Sequence, residues 1–456
     1  MTQVRTAVGT FDGSDAGAWL GIPYGVAERY QAPRPVGALD RELTTKWFGP
    51  SAPQLEGPMS GAVPGMSVND TAEDCLSLNV WAPHAADGLP VMVWIHGGAF
   101  QIGGSSLQTY DGSILSREQQ VVVVSLNYRL GALGWLTGVD GVVPNCGLLD
   151  LQLGLQWVRD HIAAFGGDPQ NVTVFGESAG AGAVLHLMAE TTGLFDKAIA
   201  MSPGAGQTLP PELGKQVADA LMAKVALDAP VEDILAAQAE VSAELLPTVG
   251  AMPFHPSGEP LWGRTGDVPL LIGTTSQEMS LFVPPMELDA DTLTMLLEPL
   301  LSAEAHRPLG TDAVGQVVKA YEGPTAMADI ATDVTMRLPV ERLLDSHPGP
   351  AYAYQFTYPT NHGACHAADL PFVFSSFDVE GWRAWVGGSP DELGRAIRDA
   401  WASFARTGVP REDWPLYDEQ RLTMELGTEV RVVADPLAEA RVRCAPVLSS
   451  AQATSS

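Results

Sequence analysis

The chain has 456 residues, 46% of them hydrophobic and 17% charged, which is enough apolar matter for a large core and too little charge for a disordered chain. Its formal net charge of −29 repels a phosphate backbone and an anionic bilayer, so neither nucleic acid nor a membrane is an expected partner. The same charge serves either solubility or the steering of cationic substrates, and composition leaves both open.

The N-terminal MTQVRTAVGTFDG has no apolar run behind a positive start, and no stretch of 18 apolar residues follows it, so neither a signal peptide nor a membrane span is expected. The segments VMVWIH (91–96), QVVVVSL (120–126) and VTVFG (172–176) are short, apolar and rich in β-branched residues. Such runs suit strands buried on both faces of a mostly parallel sheet. Between them, LLDLQLGLQWVRDHIAAFGG (148–167) has helical spacing and ends in a Gly-Gly stop. KAIAMS (197–202), VPLLIG (268–273) and AYAYQF (351–356) continue the strand series. The β, α, β, α order predicts a doubly wound α/β fold. Residues 207–247 and 284–346 are rich in Ala, Leu, Glu and Asp at helical periodicity. They are expected to be helical insertions over one end of the sheet, either as an active-site lid or as a surface subdomain. DELGRAIRDAWASFARTG (391–408) predicts an amphipathic helix closed by Gly408. No linker divides the chain, so residues 1–448 are expected to form one domain, with 449–456 (SSAQATSS) a frayed tail.

Cys75, Cys146, Cys365 and Cys444 lie far apart without metal-ligand spacing. They are read as free thiols in a reducing, cytoplasmic compartment, with no metal expected.

The stretch VFGESAGAG (174–182) sets Ser178 between a strand and a helix among glycines and alanines. A strand that turns at once into a helix forces its tip residue into strained geometry and projects that side chain outward. Positions two away on either side, Gly176 and Gly180, must then be small. The amide of Ala179 opens the helix, where negative charge is favoured. G-x-S-x-G alone is a weak signal in a glycine-rich chain; strand before and helix after make it specific. WIHGGAF (94–100) follows a strand directly, and its glycines let backbone amides turn toward a developing oxyanion. The side chain of His96 is read as support for that loop and not as a proton carrier.

Six segments, in order, resemble the type-B carboxylesterase family, which spans bacterial p-nitrobenzyl esterases and the cholinesterases. They are GIPYGVAERYQAPRPV (21–36), EDCLSLNVWAP (73–83), HGGAF (96–100), NYRLGALGWL (127–136), the long run from Asn145 to Ala181, and WASFARTGVPREDWPLYD (401–418). The resemblance implies an α/β-hydrolase fold and a Ser, Glu, His triad in that chain order. It assigns the nucleophile to Ser178, the acid to Glu278 within LLIGTTSQEMSLF (270–282), and the base to His366 within GACHAADLPFVF (363–374). Histidine takes the serine proton near neutral pH and returns it to the leaving group, while the carboxylate fixes the imidazole tautomer. His362 is the rival base; Glu259 and Asp267 are rival acids. Without the resemblance Glu278 would read as a surface carboxylate. The resemblance also places oxyanion donors at the amides of Gly98, Ala99 and Ala179, and supporting hydrogen bonds at Glu177 and Ser202.

Two departures stand out. Secreted relatives close a disulfide on the Cys75 position from a cysteine before a Pro-Gln pair, but Ala52 stands there in GPSAPQ (49–54). This points to an intracellular, bacterial-type enzyme with a mobile 55–72 loop. Asp369 stands where the family often has Glu and is expected to orient the histidine loop; Cys365 is read as a buried small residue.

The function implied is hydrolysis of small to medium esters with an apolar acyl or alcohol part, through an acyl-serine, without cofactor. Amide, carbamate or complex natural-product substrates use the same triad. A cation-binding site of the cholinesterase kind is disfavoured, since the 55–72 loop has no aromatic residue. Relatives that only bind have lost the triad, which is complete here. Oligomeric state is left open.

Overall fold

The computed structural model describes residues 3–39, 42–55, 61, 63–68, 70–204, 208–305, 307–388 and 390–448. The expected frayed tail, and residues 56–60, 62 and 69 of the expected mobile loop, lie outside this set.

A ten-stranded sheet forms the centre. Its strands in chain order are β1 (Ala18–Pro23), β2 (Ser77–Trp81), β3 (Leu89–Ile95), β4 (Val122–Leu126), β5 (Gly167–Glu177), β6 (Lys197–Met201), β7 (Leu270–Thr275), β8 (Ala351–Phe356), β9 (Leu422–Leu426) and β10 (Val430–Ala434). Across the sheet the order is β10-β9-β8-β7-β6-β5-β3-β4-β2-β1. Every pairing from β9 to β4 is parallel, and antiparallel pairings finish both edges. A separate three-stranded sheet holds Gln3–Arg5, Thr10–Asp12 and Glu42–Thr44.

Side-chain alternation splits each central strand between two cores. In β3, Val91, Val93 and Ile95 enter one core while Met92 and Trp94 enter the other. In β6, Ala198 and Ala200 face the first and Ile199 and Met201 the second. The first core takes Leu148, Leu151 and Leu155 from the helix Cys146–His161 and Val184 and Leu187 from the helix Ala179–Glu190. The second takes Ile397, Trp401 and Phe404 from the amphipathic helix Asp391–Thr407, which Gly408 ends at φ 80°. Burying such a side chain is worth about 1.5–3 kcal/mol, so apolar residues on both faces commit these runs to the sheet centre.

Both expected insertions are helical: Pro211–Met222 and Val231–Val249 in the first, Ala290–Glu304 through Leu338–Ser346 in the second. The second carries its own apolar cluster, with Leu297, Leu301, Val314 and Val317 packed against Cys444 and Val447 of the C-terminal helix Ala438–Leu448. That last helix was not anticipated from sequence.

Candidate active site

The site is assembled from loops leaving the carboxyl ends of β3, β5, β6, β7 and β8, where parallel α/β sheets place their ligands. β5 ends at Glu177, Ser178 adopts φ 57° and ψ −126°, and a helix begins at Ala179. The glycines around Ser178 are there for space. A Cβ on Gly176 would stand 2.6 Å from the backbone of Gly180, and one on Gly180 would stand 2.1 Å from the carbonyl oxygen of Ile95. The Ser178 amide donates to the carbonyl of Met201, tying the turn to β6.

Beyond β3, Gly98, Ala99 and Phe100 all have positive φ, at 113°, 55° and 59°. Two consecutive non-glycine residues in that region are costly, and the surroundings hold them there. The amides of Gln101 and Ile102 both donate to the Gly98 carbonyl, and Gly131 N–H donates to the Phe100 carbonyl at 2.7 Å. The side-chain amide of Gln54 clamps Gly103 from both sides, donating to its carbonyl and accepting from its N–H, each at 2.8 Å. His96 is buried, stacks on Tyr128 and contacts the Gly97 carbonyl through Nδ1. Burial lowers its pKa to about 4, so it is a neutral support for the loop.

The loops after β7 and β8 meet as a pair. The Gln277 amide donates to the Ala364 carbonyl, Ala364 N–H donates to Gln277 Oε1, and His366 N–H donates to the Glu278 carbonyl. This brings His366 Nδ1 to 2.6 Å from Glu278 Oε2, while Glu278 Oε1 accepts from Thr275 N–H at 2.7 Å. Glu278 is wholly buried. The rivals Glu259, Asp267 and His362 are exposed, and His362 stacks on Trp385 instead.

On the other edge of the imidazole, Nε2 lies 3.2 Å from Glu177 Oε1, without hydrogen-bonding geometry. Among the described residues Ser178 Oγ makes no hydrogen bond to His366; catalytic hydrogen bonds in general often tighten only when substrate binds. Burial pulls the His366 pKa down, but the facing Glu177 and the bond to Glu278 outweigh it and the net shift is upward. Burial drives the Glu177 carboxyl well above the usual carboxylate range, against the pull of His366 and with the help of Asp369 and Glu278. Asp369 is likewise raised, first by burial and then by Glu278, and its Oδ2 accepts from the Tyr354 hydroxyl at 3.2 Å. Ser202 is buried at φ 49° just beyond β6. Its Oγ has no partner among the described residues. Cys365 is fully buried and its thiol is pushed up to about 12 by that burial. Cys75 is a free, buried thiol, and Ala52 is buried as well.

Sequence reading missed several side chains that shape the site. Gln54 acts through its side-chain amide, which bonds to Ala52 and Gly103, Gln277 acts through its Oε1, and Phe282, 40% exposed, sets its ring 5.7 Å from the His366 imidazole. None sits in a pattern that periodicity could flag. Among the described residues no group of three or more His, Cys, Asp or Glu is placed to hold a metal ion, and no helix is long and apolar enough to cross a membrane.

The carboxylesterase family pattern matches residues 2–445. The para-nitrobenzyl esterase of Bacillus subtilis is 35% identical over 94% of each chain. A probable N-octanoylanthranilate hydrolase of Rhodococcus erythropolis is 33% identical, over 88% of this chain and 92% of that one. A solved thermophilic PNB esterase superposes with a TM-score of 0.87 at 32% identity, covering 97% of this chain and 99% of its own. Sequence motifs, sheet order and these likenesses agree: the chain belongs to the carboxylesterase family and is a serine ester hydrolase of type B.

Proposed function

We propose that Ser178 is the nucleophile, His366 the general base and acid, and Glu278 the carboxylate that orients the imidazole. The observation that carries this reading is the buried 2.6 Å pair between Glu278 and His366 beside a serine held at φ 57° on a strand-to-helix turn. His366 Nε2 takes the Ser178 proton as Oγ attacks the ester carbonyl. The amides of Gly98, Ala99 and Ala179 receive the oxyanion, and Ala179 adds the positive end of its helix. The tetrahedral intermediate collapses as the imidazolium protonates the departing alcohol. Water then attacks the acyl-serine by the same proton route, without a cofactor.

The substrates proposed are small to medium esters with an apolar acyl or alcohol part. The chemistry supporting this is the half-exposed Phe282 ring at His366, and the name of the Bacillus relative points the same way. The Rhodococcus relative, named for an N-acyl substrate, keeps amides as a second reading. Four buried, unbridged thiols and Ala52 in place of a cysteine support a cytoplasmic, bacterial-type enzyme. Fluorophosphonate labelling of cell fractions should find it in the cytoplasm; recovery from the medium would overturn that assignment.

The test of the mechanism is hydrolysis of p-nitrophenyl esters from acetate to decanoate by wild type and Ser178→Ala. Activity lost in the variant supports the assignment, and the chain-length optimum sizes the acyl pocket. A folded Ser178→Ala variant with wild-type turnover would end it.

A further inference from the structure

The oxyanion loop is tied to the first helical insertion by one side chain. Gln238 lies on the helix Val231–Val249 and is buried. Its Oε1 accepts from the amide of Ala132 at 2.7 Å, and its Nε2 donates to Gln101 Oε1 at 3.2 Å. One partner, Gln101, belongs to the loop 98–102, and the other, Ala132, lies beside it. Gly131, one residue before Ala132, donates to the Phe100 carbonyl at 2.7 Å, and Gln101 follows Phe100 directly. Gly131 has φ 54°, which favours glycine, and a Cβ there would fall 2.1 Å from Gln238 Oε1 and push that amide out of place. Phe100 closes the arrangement by packing its ring edge-on against Trp135, with centroids 4.9 Å apart.

The positive φ values of Ala99 and Phe100 need outside support. Gln54 supplies it at the Gly103 end of the loop. At the Phe100 end, the polar support is the Gly131–Ala132 backbone and Gln101, and Gln238 holds both. A buried glutamine on a helix face otherwise filled by Ile234, Leu235, Ala237, Val241 and Leu245 is costly unless its amide is used, and here both ends are used.

We infer that Gln238 is a positioning residue for the oxyanion hole, through which the helical insertion sets the aim of the Gly98 and Ala99 amides. The inference rests on the proposed roles of Ser178 and those amides. Donor placement matters in the transition state more than in the ground state, so the effect falls on kcat.

The experiment compares wild type, Gln238→Leu, Gln238→Glu and Gln101→Ala on p-nitrophenyl butyrate, with Ser178 titrated by a fluorophosphonate to count active enzyme. Gln238→Leu should lower kcat about ten- to a hundredfold with KM within about threefold, as expected for catalytic amides moved by a fraction of an ångström. Gln238→Glu keeps the acceptor for Ala132 N–H and should recover part of that loss. Gln101→Ala removes the other end of the contact from a half-buried site, and tests the proposal even where Gln238→Leu fails to fold. Combined with a folded Gln238→Leu, it should cost less than the two single effects added. Wild-type kcat in folded Gln238→Leu, or in Gln101→Ala, would overturn the inference, as would a rise in KM alone, which marks a substrate-pocket residue. If Ser178 fails to label, or Ser178→Ala keeps full turnover, the parent mechanism fails instead. Clean Ser178 dependence with indifferent Gln238 variants sinks this inference alone.

Discussion

Replacing Glu177 with Gln should move the acid limb of the pH–rate profile to lower pH. Glu177 Oε1 lies 3.2 Å from His366 Nε2, with both side chains buried. Unit charges at that separation, in an effective dielectric of about 20, attract by about 5 kcal/mol. This is a ceiling, because burial drives the Glu177 carboxyl upward and leaves it partly protonated near neutrality. The net effect is well below this ceiling, each pH unit being about 1.4 kcal/mol. The sign follows from the base's task. In the proposed mechanism His366 must be neutral to take the Ser178 proton, and a neighbouring carboxylate stabilises the imidazolium, so the raised pKa keeps the base protonated to higher pH. Glutamine keeps the shape and removes the charge, so the pKa falls and kcat/KM survives further into acid. The assay is initial-rate hydrolysis of a p-nitrophenyl ester, read at the isosbestic wavelength of the phenol and its anion. A limb that stays in place, or moves upward, would refute the reasoning and leave Glu177 as packing.

Glu278→Gln should lower kcat by about 10⁴-fold, because a glutamine NH₂ turned toward His366 Nδ1 favours the wrong tautomer; a loss below tenfold in steady-state kinetics would contradict the role given to Glu278. Gly180→Ala drives a methyl to 2.1 Å from the Ile95 carbonyl and should cost about 1–3 kcal/mol, measured by the denaturant midpoint; an unchanged midpoint would mean the turn relaxes freely. Arg129→Met leaves Asp150, fully buried and bonded to Arg129 at 2.7 and 2.8 Å, without its cation, and should cost about 3–5 kcal/mol in the same assay. Small thiol reagents should leave wild-type activity intact, since the buried Cys365 thiol is held far from ionisation; inactivation that Cys365→Ala abolishes would show that reagent reaches it.

How much the sequence disclosed depended on how far each signal lies from its partner along the chain. β3 to β8 are legible because burial on both faces leaves continuous apolar runs, as in VMVWI. β10, VRVVA, escapes notice because it is an edge strand with only partly buried faces. β2, SLNVW, is hidden for the opposite reason: it is fully buried, but Asn79 breaks the apolar run and is satisfied inside, bonding to Ser125 Oγ at 2.9 Å and to the Gly21 amide. Ser178 could be read locally, since strand, serine, small neighbours and helix occupy one short segment. Gln238 could not, because a polar residue on a helix looks like a solvated one until its partners are known.

Glu278 lies between these cases, and the sheet explains why. SQEMS has no signature of its own, and its histidine partner is 88 residues away. Parallel strands nevertheless restrict the choice. Ser178 stands at the carboxyl end of β5, so its partners must come from loops at that same end. Asp267 directly precedes β7 and therefore lies at the opposite end, whereas Glu278 follows β7 and satisfies the rule. Strand direction, readable from periodicity once the order is parallel, thus favours the proposed acid over one rival without any family knowledge. It is silent between His362 and His366, which both follow β8. There the decision belongs to packing: His362 is turned out onto Trp385, while the backbone bonds between the two loops draw His366 inward onto Glu278.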